Sequence, residues 1–140
     1  MSEYIKIKKK QENELRNFKG IFFAFNAEQF KKGMIKLGIK ELELEKICKL
    51  GHGGGYILKE QSNVFIKMNT RQSKEIKEKM KDPIFSYEAF LYELKNHEFC
   101  ITHDLTAALD ALEVSNEDLK NNKKMADSLK KAIFEINKEA

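Results

Sequence analysis

Six consecutive residues, Gly51-His52-Gly53-Gly54-Gly55-Tyr56, hold four of the seven glycines in a chain of 140 residues. Glycine gives up more conformational freedom on folding than any other residue, so such a cluster marks a backbone constraint: a sharp break, a close approach of main chain to another group, or both. Successive N–H groups in a loop of this kind can cradle a phosphate. A P-loop also needs a lysine and a serine or threonine after the glycines, at the mouth of a helix. Tyr56-Ile57-Leu58 stands there instead. A dinucleotide fingerprint needs a preceding strand, and the spacing here predicts a preceding helix. The loop is therefore expected to be a tight turn or a recognition loop, with His52 and Tyr56 at its tip.

His97-x-x-Cys100-x-x-His103, with Cys48-x-x-x-His52 further back, offers imidazole and thiolate ligands of the kind that hold zinc tetrahedrally. The spacing matches no zinc module, and Cys48 falls on the apolar face of its predicted helix, so no metal is expected. Acid–base work would draw on His97, Glu98, His103 and Asp104, which are sequence neighbours. No nucleophile with a recognisable context stands beside them, and Cys100 between Phe99 and Ile101 has the surroundings of an inert thiol. Helix capping and solvated charge account for these residues more simply, with His97 at a helix C-terminus.

The elements that must position these residues are mostly helices. Tyr4, Ile7, Gln11, Leu15 and Phe18 recur at helical spacing with lysines on the other side, predicting an amphipathic helix over 2–18. Ile21-Phe22-Phe23-Ala24-Phe25 is a dense apolar run, a short buried strand or a plug, whose phenylalanines are expected to anchor the core. Asn26 and Gln29 form a capping-box pattern for a helix that Gly38 stops. A second helix is expected over 40–50, ended by Gly51. Tyr56-Ile57-Leu58 suggests a brief strand beside 21–25. A long helix follows over 61–81, with Val64, Met68, Ile76 and Met80 on one side. Asp82-Pro83 opens a helix to Asn96 that is apolar nearly all round, the mark of a central helix. Thr102 or Asp104 caps the next helix. Ser115 restarts a short one, and a last helix runs over 123–137.

Composition sets the remaining bounds. One hundred and forty residues suit a single domain able to fold without disulfide or metal. Twenty-six basic against twenty-two acidic side chains leave a net charge of +4, a mild excess. Two distant cysteines, no export-like apolar core at the N-terminus and no long apolar run lead to the expectation of a reduced, cytoplasmic protein with no membrane contact. Lys8, Lys9 and Lys10 on the first helix, and Lys120, Lys123 and Lys124 in a C-terminal part with helix-turn-helix-like pacing, are candidate phosphate contacts. Glu113, Glu117 and Asp118 nearby would repel a phosphate backbone.

The order of the segments resembles a family of small uncharacterised proteins of phages, prophages and mobile elements. The resemblance is carried by Phe22-Phe23-Ala24-Phe25-Asn26-x-x-Gln29-Phe30-x-x-Gly33, Lys36-Leu37-Gly38, Gly51-x-Gly53-Gly54, Tyr92-Glu93-Leu94-x-Asn96-His97-Glu98, Asp104-Leu105-Thr106 and Ala108-Leu109-x-Ala111-Leu112. It implies a small accessory protein of a mobile element in a bacterial host, acting by binding and often against host defence.

The expectation is thus one mainly α domain over 1–140, of six to eight helices with at most two short strands. It is read as a non-enzymatic, cofactor-free steric inhibitor of a bacterial defence component such as a CRISPR effector. His52, Gly53, Gly54, Tyr56, Asn96, His97 and Glu98 are its candidate contacts. The alternative is a nucleic-acid-binding regulator using the six lysines named above.

Overall fold

The computed structural model describes residues 2–139. The described residues form eight helices and one three-stranded sheet, so the mainly α expectation holds. Strands number three, one more than expected. The chain divides into two compact units, Met1–Glu12 with Arg71–Ala140 and Asn13–Thr70, and the boundaries fall inside the first and third helices.

The first unit is helical. Helix α1 (Glu3–Arg16) buries Tyr4 and Ile7. The unit also takes the C-terminal part of α3 (Ser62–Lys79), the whole of α4 (Pro83–Asn96), a single turn α5 (Phe99–Thr102), α6 (Thr106–Ala111), α7 (Asn116–Asn121) and α8 (Lys123–Glu139). Asp82 caps α4 by accepting the Ile84 N–H at 2.9 Å, and Pro83 sits in the first turn, where a missing N–H costs nothing. α4 is central, as its all-round apolar surface predicts: Phe85, Ala89, Phe90 and Leu94 are buried against α6 and α8. α7 opens with the full capping box, Ser115 and Asp118 exchanging side-chain and backbone hydrogen bonds.

One charged side chain lies inside this core. Glu93 is fully buried on α4, and its Oε1 receives Lys8 Nζ at 3.0 Å. The Lys8 ammonium also stands 5.9 and 5.4 Å from the ring centres of Tyr4 and Tyr92. Glu93 Oε2 is buried with no partner in hydrogen-bond geometry. Burial, and then the Glu93 charge, push the Tyr4 phenol well above its ordinary value.

The second unit is built around the sheet. Strands β1 (Ile21–Phe23), β2 (Ile47–Leu50) and β3 (Gly55–Leu58) are all antiparallel, in the order β1-β3-β2. Tyr56–Leu58 does pair with the 21–25 segment, Phe22 opposite Tyr56. Helix α2 (Ala27–Lys36) lies on one face. Asn26 accepts the Gln29 N–H at 2.8 Å, while Gln29 Oε1 reaches back one residue further than a capping box requires, to the Phe25 N–H. Gly38, at φ 75°, closes α2 with the paired bonds Ile39 N–H to Met34 and Gly38 N–H to Ile35. Phe22, Ala24, Met34 and Ile47 form the core, with Phe30 and Tyr56 packed on it.

The helix expected over 40–50 is absent. A 3-10 turn at Leu44–Lys46 leads directly into β2. Four residues, Ile47–Leu50, are too few for periodicity to separate strand from helix, and pairing with β3 decides between them. The glycine loop is therefore the turn of a β-hairpin, with Leu50 opposite Gly55 and residues 51–54 between.

Candidate partner-binding surface

β1 is an outer strand of its sheet, and strand alternation splits its phenylalanines. Phe22 is buried, whereas Phe23 and Phe25 are 56% and 77% exposed. This corrects the expectation that all three anchor the core. A period of two puts Phe22 and Ala24 on the inner face and their neighbours on the outer one. The alternation is readable in the sequence once the segment is taken as a strand with one face covered.

The hairpin glycines answer to these rings. A Cβ on Gly54 would meet the Phe25 ring at 2.6 Å, and one on Gly55 would meet the Phe23 ring at 3.1 Å. Gly51 and Gly54 also hold positive φ, 55° and 78°, where L side chains are strained. The close backbone approach implied by the cluster is thus to the chain's own Phe25 and Phe23.

The edge of the sheet beside them is open in its hydrogen bonding. Ala24 donates to Gly54 and Leu58 donates to Gly20, each at 2.9 Å. Residues 20, 22 and 24 therefore face β3, and Ile21 and Phe23 turn their N–H and C=O groups away from it. Among the described residues neither makes another backbone hydrogen bond. Such an edge can template one more strand.

The anticipated contact residues fall on both units. His52 and Gly53 are exposed on the hairpin turn, with Gly54 half-buried under Phe25. Tyr56 is not at the tip: it lies in β3, its ring stacked on Phe22 at 5.2 Å and edge-on to Phe30 at 5.1 Å. Asn96, His97 and Glu98 belong to the helical unit. Asn96 ends α4, and the half-buried His97 is its C-cap, donating its backbone N–H to Glu93 at 3.0 Å. Glu98 and His103 flank α5, both left-handed at φ 56° and 55°. The Thr106 N–H and hydroxyl, bonded to Asp104, hold that carboxyl below its usual range. Cys100 is exposed rather than inert by burial, and Cys48 is half-buried. No group of three His, Cys, Asp or Glu among the described residues is placed to hold a metal ion.

The lysines divide by engagement. Lys8 is taken up by Glu93, and Lys10 lies 3.9 Å from Glu75. Lys9, Lys120, Lys123 and Lys124 are exposed. The net positive charge sits in the sheet unit, where ten Lys and Arg face six Glu and no Asp between Asn13 and Thr70.

Residues 3–135 match one family model, described as a family of unknown function (DUF7659). The chain belongs to this family. No curated protein and no solved structure matches it significantly. The matched span takes in α1, the hairpin, β1 and all but the end of α8, so the family includes both units. Among the described residues no helix is long and apolar enough to cross a membrane.

Proposed function

We propose that the protein is a binding module that docks a protein partner along the outer edge of β1, with Phe23 and Phe25 as anchors and the His52-Gly53 turn at the margin. The observation that carries this reading is the pair of exposed phenylalanines standing over glycines beside an unpaired strand edge. Aromatic side chains dominate the energetics of protein interfaces, and backbone groups of an outer strand supply directional hydrogen bonds. The partner we favour is a bacterial defence component such as a CRISPR effector, blocked sterically. That choice rests on the resemblance of the Phe22–Leu112 pattern to mobile-element proteins. Nucleic-acid binding is supported less: Lys8 and Lys10 of the first cluster have carboxylate partners, leaving Lys9 and the exposed lysines around α7 and α8.

The test compares the wild-type chain with Phe23→Ser/Phe25→Ser in capture from a nuclease-treated bacterial lysate. Both side chains are exposed, so the variant is expected to fold and to melt within about 3 °C of wild type. The wild type should retain a discrete protein that the variant loses. Equal retention by both, or capture that vanishes with nuclease, would overturn the reading.

A further inference from the structure

The helical unit contains a small recess of about 210 Å³ that the partner surface does not use. Its floor is apolar: Met80, Leu112 and Val114 are buried core residues, and Met125 packs beside them. Its rim is polar, and half of that rim is already satisfied. Lys81 pairs with Glu78 at 3.0 Å. Asp118 accepts the Ser115 N–H at 2.9 Å, and Asn122 accepts the Met125 N–H at 3.1 Å. The side chains of Lys77, Glu113 and Asn121, also on the rim, are exposed: Lys77 lies in the field of the Asp118 carboxylate, and those of Glu113 and Asn121 make no hydrogen bond or ion pair among the described residues. One cation, one carboxylate and one amide thus border an apolar floor with their side chains open to solvent.

Glu113 is held there against its conformational preference. Val114 donates to Leu109 and Glu113 donates to Asp110, the two bonds that close a helix in a Schellman motif, here at the end of α6. The residue between, Glu113, has φ 55°, a position that glycine ordinarily fills. The α2 terminus of the same chain uses Gly38 for the identical geometry. A carboxylate where a glycine would be easier is the kind of local cost that accompanies a site.

We propose that this recess binds a small zwitterion with an apolar side chain, a free α-amino acid of the leucine or methionine class. Its carboxylate meets Lys77 and the Asn121 amide, its ammonium meets Glu113, and its side chain covers the methionine, leucine and valine floor. The volume corresponds to about seven waters, below the range of drug-sized pockets, which suits a ligand of this size.

The experiment is a calorimetric titration of the full chain with L-leucine, beside leucinamide, which lacks the carboxylate, and 4-methylpentanoate, which lacks the ammonium. Saturable binding at a Kd of about 1 mM or tighter is expected for leucine, with both analogues at least tenfold weaker. Lys77→Gln and Glu113→Gly should each weaken leucine about tenfold or more. Glu113→Gly relieves the left-handed strain and should melt no lower than wild type, so its loss of binding cannot be put down to unfolding. No saturation by about 20 mM leucine, equal affinity for the three ligands, or full affinity in Glu113→Gly overturns the proposal.

Discussion

A carboxylate shut away from water needs a counter-charge, and Glu93 has Lys8 within ion-pair distance and the Tyr4 phenol close by. Placing both a phenol and a carboxylate in this core makes ionisation of the phenol costly, first through burial and then through the Glu93 charge. The folded state therefore holds the Tyr4 proton to higher pH than the unfolded chain does. Above an ordinary phenol value of about 10 the folded state binds more protons than the unfolded one, so stability falls as pH rises. The Tyr4 contribution is intact below about pH 10 and is lost progressively toward the raised value. Chemical denaturation from pH 8 to pH 11, with Tyr4→Phe alongside, should show a flatter alkaline limb in the variant. Equal limbs would mean that Tyr4 ionises as freely folded as unfolded. None of this was legible in the sequence: Glu93 occupies a regular position in an apolar helix, and only the third dimension brings Lys8 to it across 85 residues. His97 is the opposite case: its place at the C-cap of α4 follows from the sequence, and the bonds it makes there come from its backbone N–H.

Helix α2 and strand β1 show how closely two elements can be fitted by leaving out a side chain. A Cβ on Gly33 would fall 2.1 Å from the Phe22 ring, inside any real contact, and that ring is itself held between Phe30 and Tyr56. Gly33→Ala gains helix propensity worth about 1 kcal/mol but must push β1 off α2. Overpacking costs about 1–3 kcal/mol, and a 2.1 Å approach to a held ring belongs at the upper end, so a net loss of up to about 2 kcal/mol is expected, read as a lower denaturant midpoint at unchanged slope. A stabilised variant would show that the sheet yields freely. Elements whose signals are local were legible here: Asn26 as the N-cap of α2, the stop at Gly38, the Asp82-Pro83 start of α4 and the restart at Ser115. The segment over 40–50 was not, because Leu44, Ile47 and Cys48 satisfy a helical period, and only the partner strand β3, on the far side of the glycines, selects the extended form. That one misreading also concealed the hairpin, and with it the reason Phe23 and Phe25 face outward.

The two units differ greatly in what holds them. Fifteen buried side chains form the helical core, against four in the main cluster of the sheet unit. Hydrophobic burial is roughly proportional to the apolar area removed from water, so the sheet unit has the smaller reserve against local opening. Native-state hydrogen exchange should find β1 and β3 amides exchanging through an opening of lower free energy than the α4 and α8 core amides, separated by about 2 kcal/mol or more. A common value for both sets would mean that the chain opens only as a whole. The mainly α class could be read from composition and periodicity alone, whereas the division into units could not. Its boundaries fall within α1 and α3, where no glycine, proline or polar linker announces them.

The open edge of β1 also bears on how the chain behaves among copies of itself. An unpaired strand carrying exposed aromatic rings is a nucleus for edge-to-edge aggregation, which proteins commonly oppose with charge. Here the opposing charge is the excess of four lysines and arginines within the same sheet unit, with exposed Lys19 just ahead of the strand. Coulombic repulsion of that kind acts over about 10 Å at 0.1 M salt and only about 3 Å at 1 M. Colloidal stability is therefore greatest in dilute buffer at low ionic strength, and raising the salt removes the barrier that keeps the sheets apart.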